Sequence, residues 1–374
     1  MQLVNSLEVN NTSTGPMNFK DTDSTNFLML CTLAVLAAIL ICVSVVGNIM
    51  IMIAIWRFKR LHSVTNYFVA SLATADLIIS VIVMPGSASR DLTGKWYFGH
   101  ELCQLHTSLD ILGCTASITG LCVISFDRYL AISNPLRYQD VMKVPLCLTL
   151  IIAAWTAAIL ISFVPIHMGW HALNDEIVPE DVCLMELNGS YALISSLISF
   201  YIPGTVMVST TIRVYCIAQR QGREIKNLQR RVKYLKSPTD AGRESISSEL
   251  SHEKDSRLLS RVKLCKCKLS DKIDKATITI GVILGTFMIN WSPFFTVNVI
   301  NPWCKNGCVS TFIYTALTWF GYINSSCNPF ILYRFNRDYR FAFMRLLGKK
   351  HTNYSATYEV NDNNMCSKIS FNNT

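Results

Sequence analysis

A chain of 374 residues that is 51% hydrophobic and only 16% charged is too apolar for a water-soluble globule of this length, and a mean hydropathy of +0.31 points the same way. The formal charge of +9 raises the question of nucleic acid, but the basic residues fall in short segments between apolar stretches, so no nucleic-acid partner is expected. Fourteen cysteines do not form a dense disulfide framework, because most lie in apolar or basic segments where thiols stay reduced.

Seven segments are apolar and long enough to span a bilayer, at about residues 27–56, 64–86, 105–126, 146–168, 190–217, 276–300 and 310–333. They predict an all-α membrane protein, a seven-helix transmembrane bundle. Basic residues follow the first span (Arg57, Lys59, Arg60), fill the connector between the fifth and sixth (Arg220, Arg230, Lys263) and follow the seventh (Arg337, Arg340, Arg345). That bias puts those segments in the cytoplasm and the amino terminus outside. The chain then divides into an outer tail over 1–26, a membrane domain over 27–347 that includes an inner connector at 219–272, and a cytoplasmic tail over 348–374. The outer tail lacks the pattern of a cleaved leader and carries glycosylation sequons at Asn10 and Asn11, with another at Asn188 on the same side. Four cysteines also fall outside, and the expected bridges are Cys103 to Cys183 and Cys304 to Cys308. The middle of the connector, about 237–255, is polar and is expected to be disordered. Residues 335–347 alternate apolar and basic at helical spacing, which predicts a short eighth helix lying against membrane lipid.

In chain order, each span carries polar groups that need a reason. The first holds Gly47 and Asn48; the second holds Asp76 and reaches Pro85, expected to mark a kink or a helix end. Asp76, Ser117, Asn324, Ser325 and Asn328 are oxygen-bearing groups on inward faces, suited either to a sodium ion or to a water-filled hydrogen-bond network. Trp96, Tyr97 and Phe98 suit the outer interface. The third span has Asp110 near its start and Asp127, Arg128 and Tyr129 at its end. A charge near the bilayer centre costs about 2.5–3.5 kcal/mol on insertion scales, so Asp110 either takes a cationic ligand from outside, or is paired within the bundle or sits in an aqueous vestibule. The fourth span carries Trp155 and Pro165. In the fifth, Ser195 and Ser199 share a face above Pro203, with Ser196 adjacent; such serines bond back to their own backbone or face a ligand. In the sixth, Trp291, Phe294, Phe295 and Asn298 form one stripe of a helix kinked at Pro293, with Phe287 one turn before it. Trp319 and Tyr322 share a face of the seventh.

Taken together, Asn48, Asp76, Cys103 with Cys183, Asp127-Arg128-Tyr129, Trp155, Pro203, Trp291 with Pro293, and Asn328-Pro329 resemble the rhodopsin-like G-protein-coupled receptors over about residues 27–347. Within that family the chain looks like the biogenic-amine receptors of the group that stimulates adenylyl cyclase. Phe58 to His62 with Trp96 to Gly99 is similar to trace-amine-associated receptors, and the fifth span is similar to dopamine receptors. The resemblance implies a receptor for a small protonated aromatic amine, a trace amine or a catecholamine such as dopamine, with serotonin- or histamine-type ligands as the alternative. It implies that Asp110, beside Cys114, pairs with the ammonium. Trp291, Phe294 and Phe295 would enclose the ring, Trp319 and Tyr322 would close over the amine, and Ser195, Ser196, Ser199 and Asn298 would meet hydroxyls. It further implies a heterotrimeric G protein at Asp127, Arg128 and Tyr129, switched through Ile118, Pro203 and Phe287, with arrestin and a receptor kinase as other partners.

The chain departs from the family's pattern at Leu332 and Thr211, where tyrosines are usual, at Asn290 in place of cysteine, and at Ile273 and Asp274, where the acidic partner for Arg128 is shifted. The missing tyrosines suggest weakened coupling. Other membrane classes fit less well: between Thr311 and Leu332 there is no lysine for an opsin's Schiff base, no internal duplication suggests a transporter, and no nucleophile with a facing base suggests an enzyme.

Overall fold

The computed structural model describes residues 19–170, 183, 188–235, 278–304 and 308–348. The expectations at Asn10 and Asn11, in 237–255, at Ile273 and Asp274, and in the tail beyond Gly348 lie outside the described residues. The described residues are helical throughout, with no strand. This is what a lipid solvent requires of a chain that does not close a barrel, because each backbone amide must be satisfied within its own segment.

The spanning helices are α1 (Phe19–Arg57), α2 (Val64–Thr93), α3 (Gly99–Ser133), α4 (Val144–His167), α5 (from Gly189 to Leu235), α6 (residues 278–300) and α7 (Thr311–Phe335). Six of them are both long and apolar enough to cross a membrane. The seventh, α7, is 25 residues long, about 37 Å at 1.5 Å per residue, and is less apolar because its inward face carries Asn324, Ser325, Ser326 and Asn328, all buried. Several helices run past the apolar segments that predict them, α3 reaching from Gly99 to Ser133 instead of 105–126. Apolar side chains such as Phe27, Leu36 and Val46 of α1 stay exposed on the face that lipid would cover.

Pro85 neither ends nor sharply interrupts α2. The helix runs on to Thr93 and stops at Gly94, whose φ of 71° is the left-handed conformation glycine adopts without a Cβ penalty. Strain from the proline is taken up earlier, in a π-helical turn over Ile79–Val83, and α5 repeats the device with a π turn over Leu197–Tyr201 ahead of Pro203. In both, the wide turn ends two residues before a proline whose ring would crowd a carbonyl in that turn and whose missing N–H leaves one unbonded.

Polar cross-ties then fix the helices laterally. Asn48 donates to the Ser325 carbonyl at 2.9 Å, joining α1 to α7, and the Trp155 indole N–H donates to Ser71 Oγ at 2.8 Å, joining α4 to α2. After a break at Asn336, whose side chain caps the next segment, α8 (Arg337–Leu346) begins, two residues inside the predicted start. Tyr339 pins it by donating to Asn66 Oδ1 at 3.0 Å, and burial raises its phenol so that it stays a donor. Trp96 is a correction to the expected interfacial aromatic cluster. Tyr97 and Phe98 are exposed, but Trp96 is only 5% exposed, its indole N–H donating to the Gly99 carbonyl at 2.9 Å and its ring packing on His106.

Candidate ligand-binding site

Asp110 lies about three turns into α3, and its Oδ2 accepts a hydrogen bond from the Tyr322 hydroxyl of α7 at 2.8 Å. Cys114, one turn further along, places its Sγ 4.0 Å from Oδ1. No ion pair holds this carboxylate among the described residues, and its direct hydrogen-bond partners are a hydroxyl and a thiol. Tyr322 is 1% exposed and also lies 3.4 Å from Ser87 Oγ, which in turn is 3.4 Å from His106 Nε2. The acid is thus anchored through a hydrogen-bonded chain of hydroxyl, thiol and imidazole groups from α2, α3 and α7.

An aromatic wall stands beside it. Trp291 meets Tyr322 edge to face at 6.3 Å and Phe294 at 5.6 Å, and Phe295 stacks on Phe200 at 4.3 Å. The approach of Trp291 to α7 depends on Gly321, where a Cβ would sit 2.8 Å from the ring. Phe287, Trp291 and Ile118 are all buried beneath, and Pro203 on α5 accepts from the Cys122 thiol at 3.2 Å. Sequence reasoning misses Phe200. A single aromatic in an apolar run carries no periodic signal, and only the π turn aims it at Phe295.

That same turn corrects the serine expectation. Ser196 and Ser199 are the buried pair, while Ser195 is half-buried and bonds back to the Ala192 carbonyl at 3.3 Å. Ser196 accepts from Asn298 Nδ2 at 3.0 Å, and Asn298 Oδ1 accepts from Tyr314 at 2.9 Å, so both ends of the amide have a protein partner. The hydroxyl of Ser199 is buried without a partner among the described residues. Trp319 packs edge to face on Tyr322 at 5.6 Å, and its indole N–H donates to Asp91 Oδ2 at 2.9 Å. Asp91 is paired at 3.0 Å with Arg90 Nε, and Arg90 Nη1 reaches the Cys183 carbonyl at 3.4 Å. The bridges Cys103–Cys183 and Cys304–Cys308 are both formed, with Cα atoms 5.7 and 5.6 Å apart. Asn188 caps the start of α5, its Oδ1 accepting from the Ser190 amide at 3.1 Å.

Midway along the bundle Asp76 is 0% exposed, with Ser325 donating to Oδ1 and Asn328 to Oδ2, each at 2.8 Å. Ser117 Oγ, Asn324 Oδ1 and Asn328 Oδ1 are buried without a partner among the described residues. One carboxylate with several orphaned neutral oxygens suits a small hard cation or ordered water.

At the other end of α3, Asp127 and Arg128 pair with each other, Nη2 to Oδ2 at 2.5 Å, with the Asp127 side chain 0% and the Arg128 side chain 19% exposed. Thr65 donates to Asp127 Oδ2 at 2.9 Å and accepts from Arg128, and Tyr138 donates to Oδ1 at 2.7 Å. Burial first, then the Asp127 charge and bond, pushes the Tyr138 phenol up to about 12, so it remains a donor across the physiological range. Tyr129 lies beside this cluster, half-buried. A cavity of about 300 Å³ extends from Asp76 past Leu332 to Arg128 and Asp338.

A seven-helix membrane bundle with an aromatic-walled acid at one end and an arginine cluster at the other defines a transmembrane receptor. The model of the 7 transmembrane receptor (rhodopsin family) matches residues 47–332, and the chain belongs to that family, whose members are receptors and not enzymes. It is similar to the D(1)-like dopamine receptor of Takifugu rubripes, 40% identical over 330 residues, covering 83% of this chain and 69% of the relative. It is also 40% identical over 360 residues to the D(1) dopamine receptor of Carassius auratus, covering 91% and 94%. With the D(1A) dopamine receptor of Didelphis virginiana it shares 39% over 331 residues, covering 83% and 72%. These similarities bear out the dopamine-type side of the expectation.

Proposed function

We propose that the protein is a plasma-membrane receptor for a small protonated aromatic amine, of which dopamine is the leading candidate, and that it stimulates adenylyl cyclase through a heterotrimeric G protein. The observation that carries this reading is Asp110, a carboxylate whose hydrogen-bond partner is a neutral hydroxyl and which adjoins an aromatic wall. An ammonium supplies the charge-assisted contact the acid lacks, and the ring packs against Phe294, Phe295 and Trp291. Ser199 presents the open hydroxyl for a ring substituent. The D(1)-type names of the similar proteins support the choice of ligand and of cyclase.

The Asp110 end then faces outside and the Arg128 end faces the cytoplasm, in keeping with the basic residues at Arg57, Arg60, Arg337 and Arg345. Activation releases Arg128 from Asp127, with Ile118, Pro203 and Phe287 repacking between the two ends. Arrestin and a receptor kinase engage the same inner face, sodium at Asp76 favours the resting state, and sugars attach at Asn10, Asn11 and Asn188. An amine panel applied to transfected cells, read as cyclic AMP, tests the reading. Dopamine is expected to raise the signal, and a panel with no active amine despite surface expression overturns it.

A further inference from the structure

Just beyond the layer that holds Asp110 lies a cationic side chain that amine binding does not use. Arg90 stands one helical turn past Ser87, and Ser87 touches Tyr322, the donor to Asp110. Its side chain is 24% exposed, and Asp110 and Arg90 are close enough for their charges to attract. A guanidinium so near an acid that the proposed function reads as an ammonium acceptor works against the ligand unless something balances it.

Asp91 supplies that balance, but only in part. Arg90 meets it through Nε alone, and Nη1 makes a long 3.4 Å contact to the Cys183 carbonyl, so the two-nitrogen fork is not closed on a carboxylate among the described residues. The pairing is between neighbouring residues, whose side chains leave a helix about 100° apart, which favours this one-armed contact. Asp91 is meanwhile shared with the Trp319 indole. An arginine half-spent in this way is suited to take a second planar anion.

We infer that Arg90 recognises a carboxylate on the ligand, so that the pocket accepts aromatic α-amino acids, with the ammonium on Asp110 and the α-carboxylate on the Arg90 fork. This rests on the amine reading of Asp110 and extends its ligand class. An α-amino acid carries its two charges on one carbon, and here a carboxylate and a guanidinium stand on adjoining layers of α3 and α2. Asp91 keeps its indole donor when Arg90 turns to the ligand, so no buried acid is left bare. The aromatic wall is indifferent to the added carboxylate and holds the ring in both cases.

The test compares matched pairs, dopamine with 3,4-dihydroxyphenylalanine and tyramine with tyrosine, as competitors for a radiolabelled amine on membranes from transfected cells. Decarboxylase is inhibited so that the acid is not converted. On the unaltered receptor each acid is expected to compete within about tenfold of its amine. Arg90→Gln should weaken the acids by about thirtyfold or more while moving the amines less than about threefold. Arg90→Lys should restore part of the acid affinity, and Asp91→Asn should strengthen the acids by freeing the fork. Acids that fail to compete while amines bind overturn the inference and leave the amine reading standing. Equal loss for acids and amines in Arg90→Gln overturns it as well, since that marks a purely structural pair. If no amine binds, both readings fall.

Discussion

The two carboxylates of α3 are held in opposite ways. Asp110 has a tyrosine hydroxyl and a distant thiol, and its charge waits for a partner from solution. Asp127 is closed by Arg128, Thr65 and Tyr138 and waits for nothing. A buried acid bonded only to neutral groups is costly until a cation arrives, so the outer end stores affinity. An acid saturated by its neighbours is stable at rest, so the inner end stores resistance to change. On the proposed function, a ligand compensates the first end, and signalling requires that the second be loosened.

The sharpest way to break the comparison is at the outer acid. Asp110→Ala should lower amine affinity by about a hundredfold or more, in line with the 2–5 kcal/mol lost when one member of a buried charge pair is truncated. Surface expression should persist, and unchanged radioligand affinity would remove the outer site altogether. At the inner end, restoring the family's tyrosines with Leu332→Tyr plus Thr211→Tyr should raise amine-stimulated cyclic AMP severalfold. Thr211 now bonds only to its own helix, and Leu332 lines the cavity that a larger ring would enter. Equal signals in both receptors would sink that expectation.

A smaller effect should come from the lock itself. Tyr138→Phe removes one hydrogen bond to a charged acceptor, worth roughly 1.5–3 kcal/mol, and should raise ligand-independent cyclic AMP at least about fivefold. Because the phenol is raised to about 12, its bond to Asp127 is fully present below the ordinary tyrosine value near 10 and is lost only as pH climbs through 12. Basal signal should therefore show no tyrosine-linked change between pH 6 and about 9. The smallest difference separates the serines. Ser199→Ala should cost a catecholamine about fivefold in potency, whereas Ser195→Ala should change it less than twofold, because Ser195 already satisfies itself on its own backbone. A larger loss at Ser195 than at Ser199 would show that the wide turn in α5 does not set the pocket face.

Much of this was legible beforehand for a simple reason. Seven spans follow from apolar length, and Asp76, Asp110 and Asp127 stand out because a charge in such a span is rare. The stripe from Trp291 to Asn298 is local periodicity, and it does assemble. What escaped notice depends on distant partners. Thr65 and Tyr138 look like ordinary polar residues until the fold sets them on Asp127, and Asp91 looks like a surface acid until Trp319 reaches it. Trp96 reads as interfacial by composition but is covered by His106. Pro85 and Pro203 announce trouble, yet nothing local says that the helix will absorb it by widening.

That widening has a consequence for how such pockets diversify. A π turn holds one residue more than an α turn, so losing a single residue such as Ile198 would return that stretch of α5 to ordinary pitch. The segment from Gly189 to Ser196 would swing by about 100°, and Ser196 would leave Asn298 without any change to either side chain. Ligand preference in this molecule is therefore exposed to one-codon insertions and deletions as much as to substitutions, since the count of residues ahead of Pro203 decides which hydroxyl looks inward.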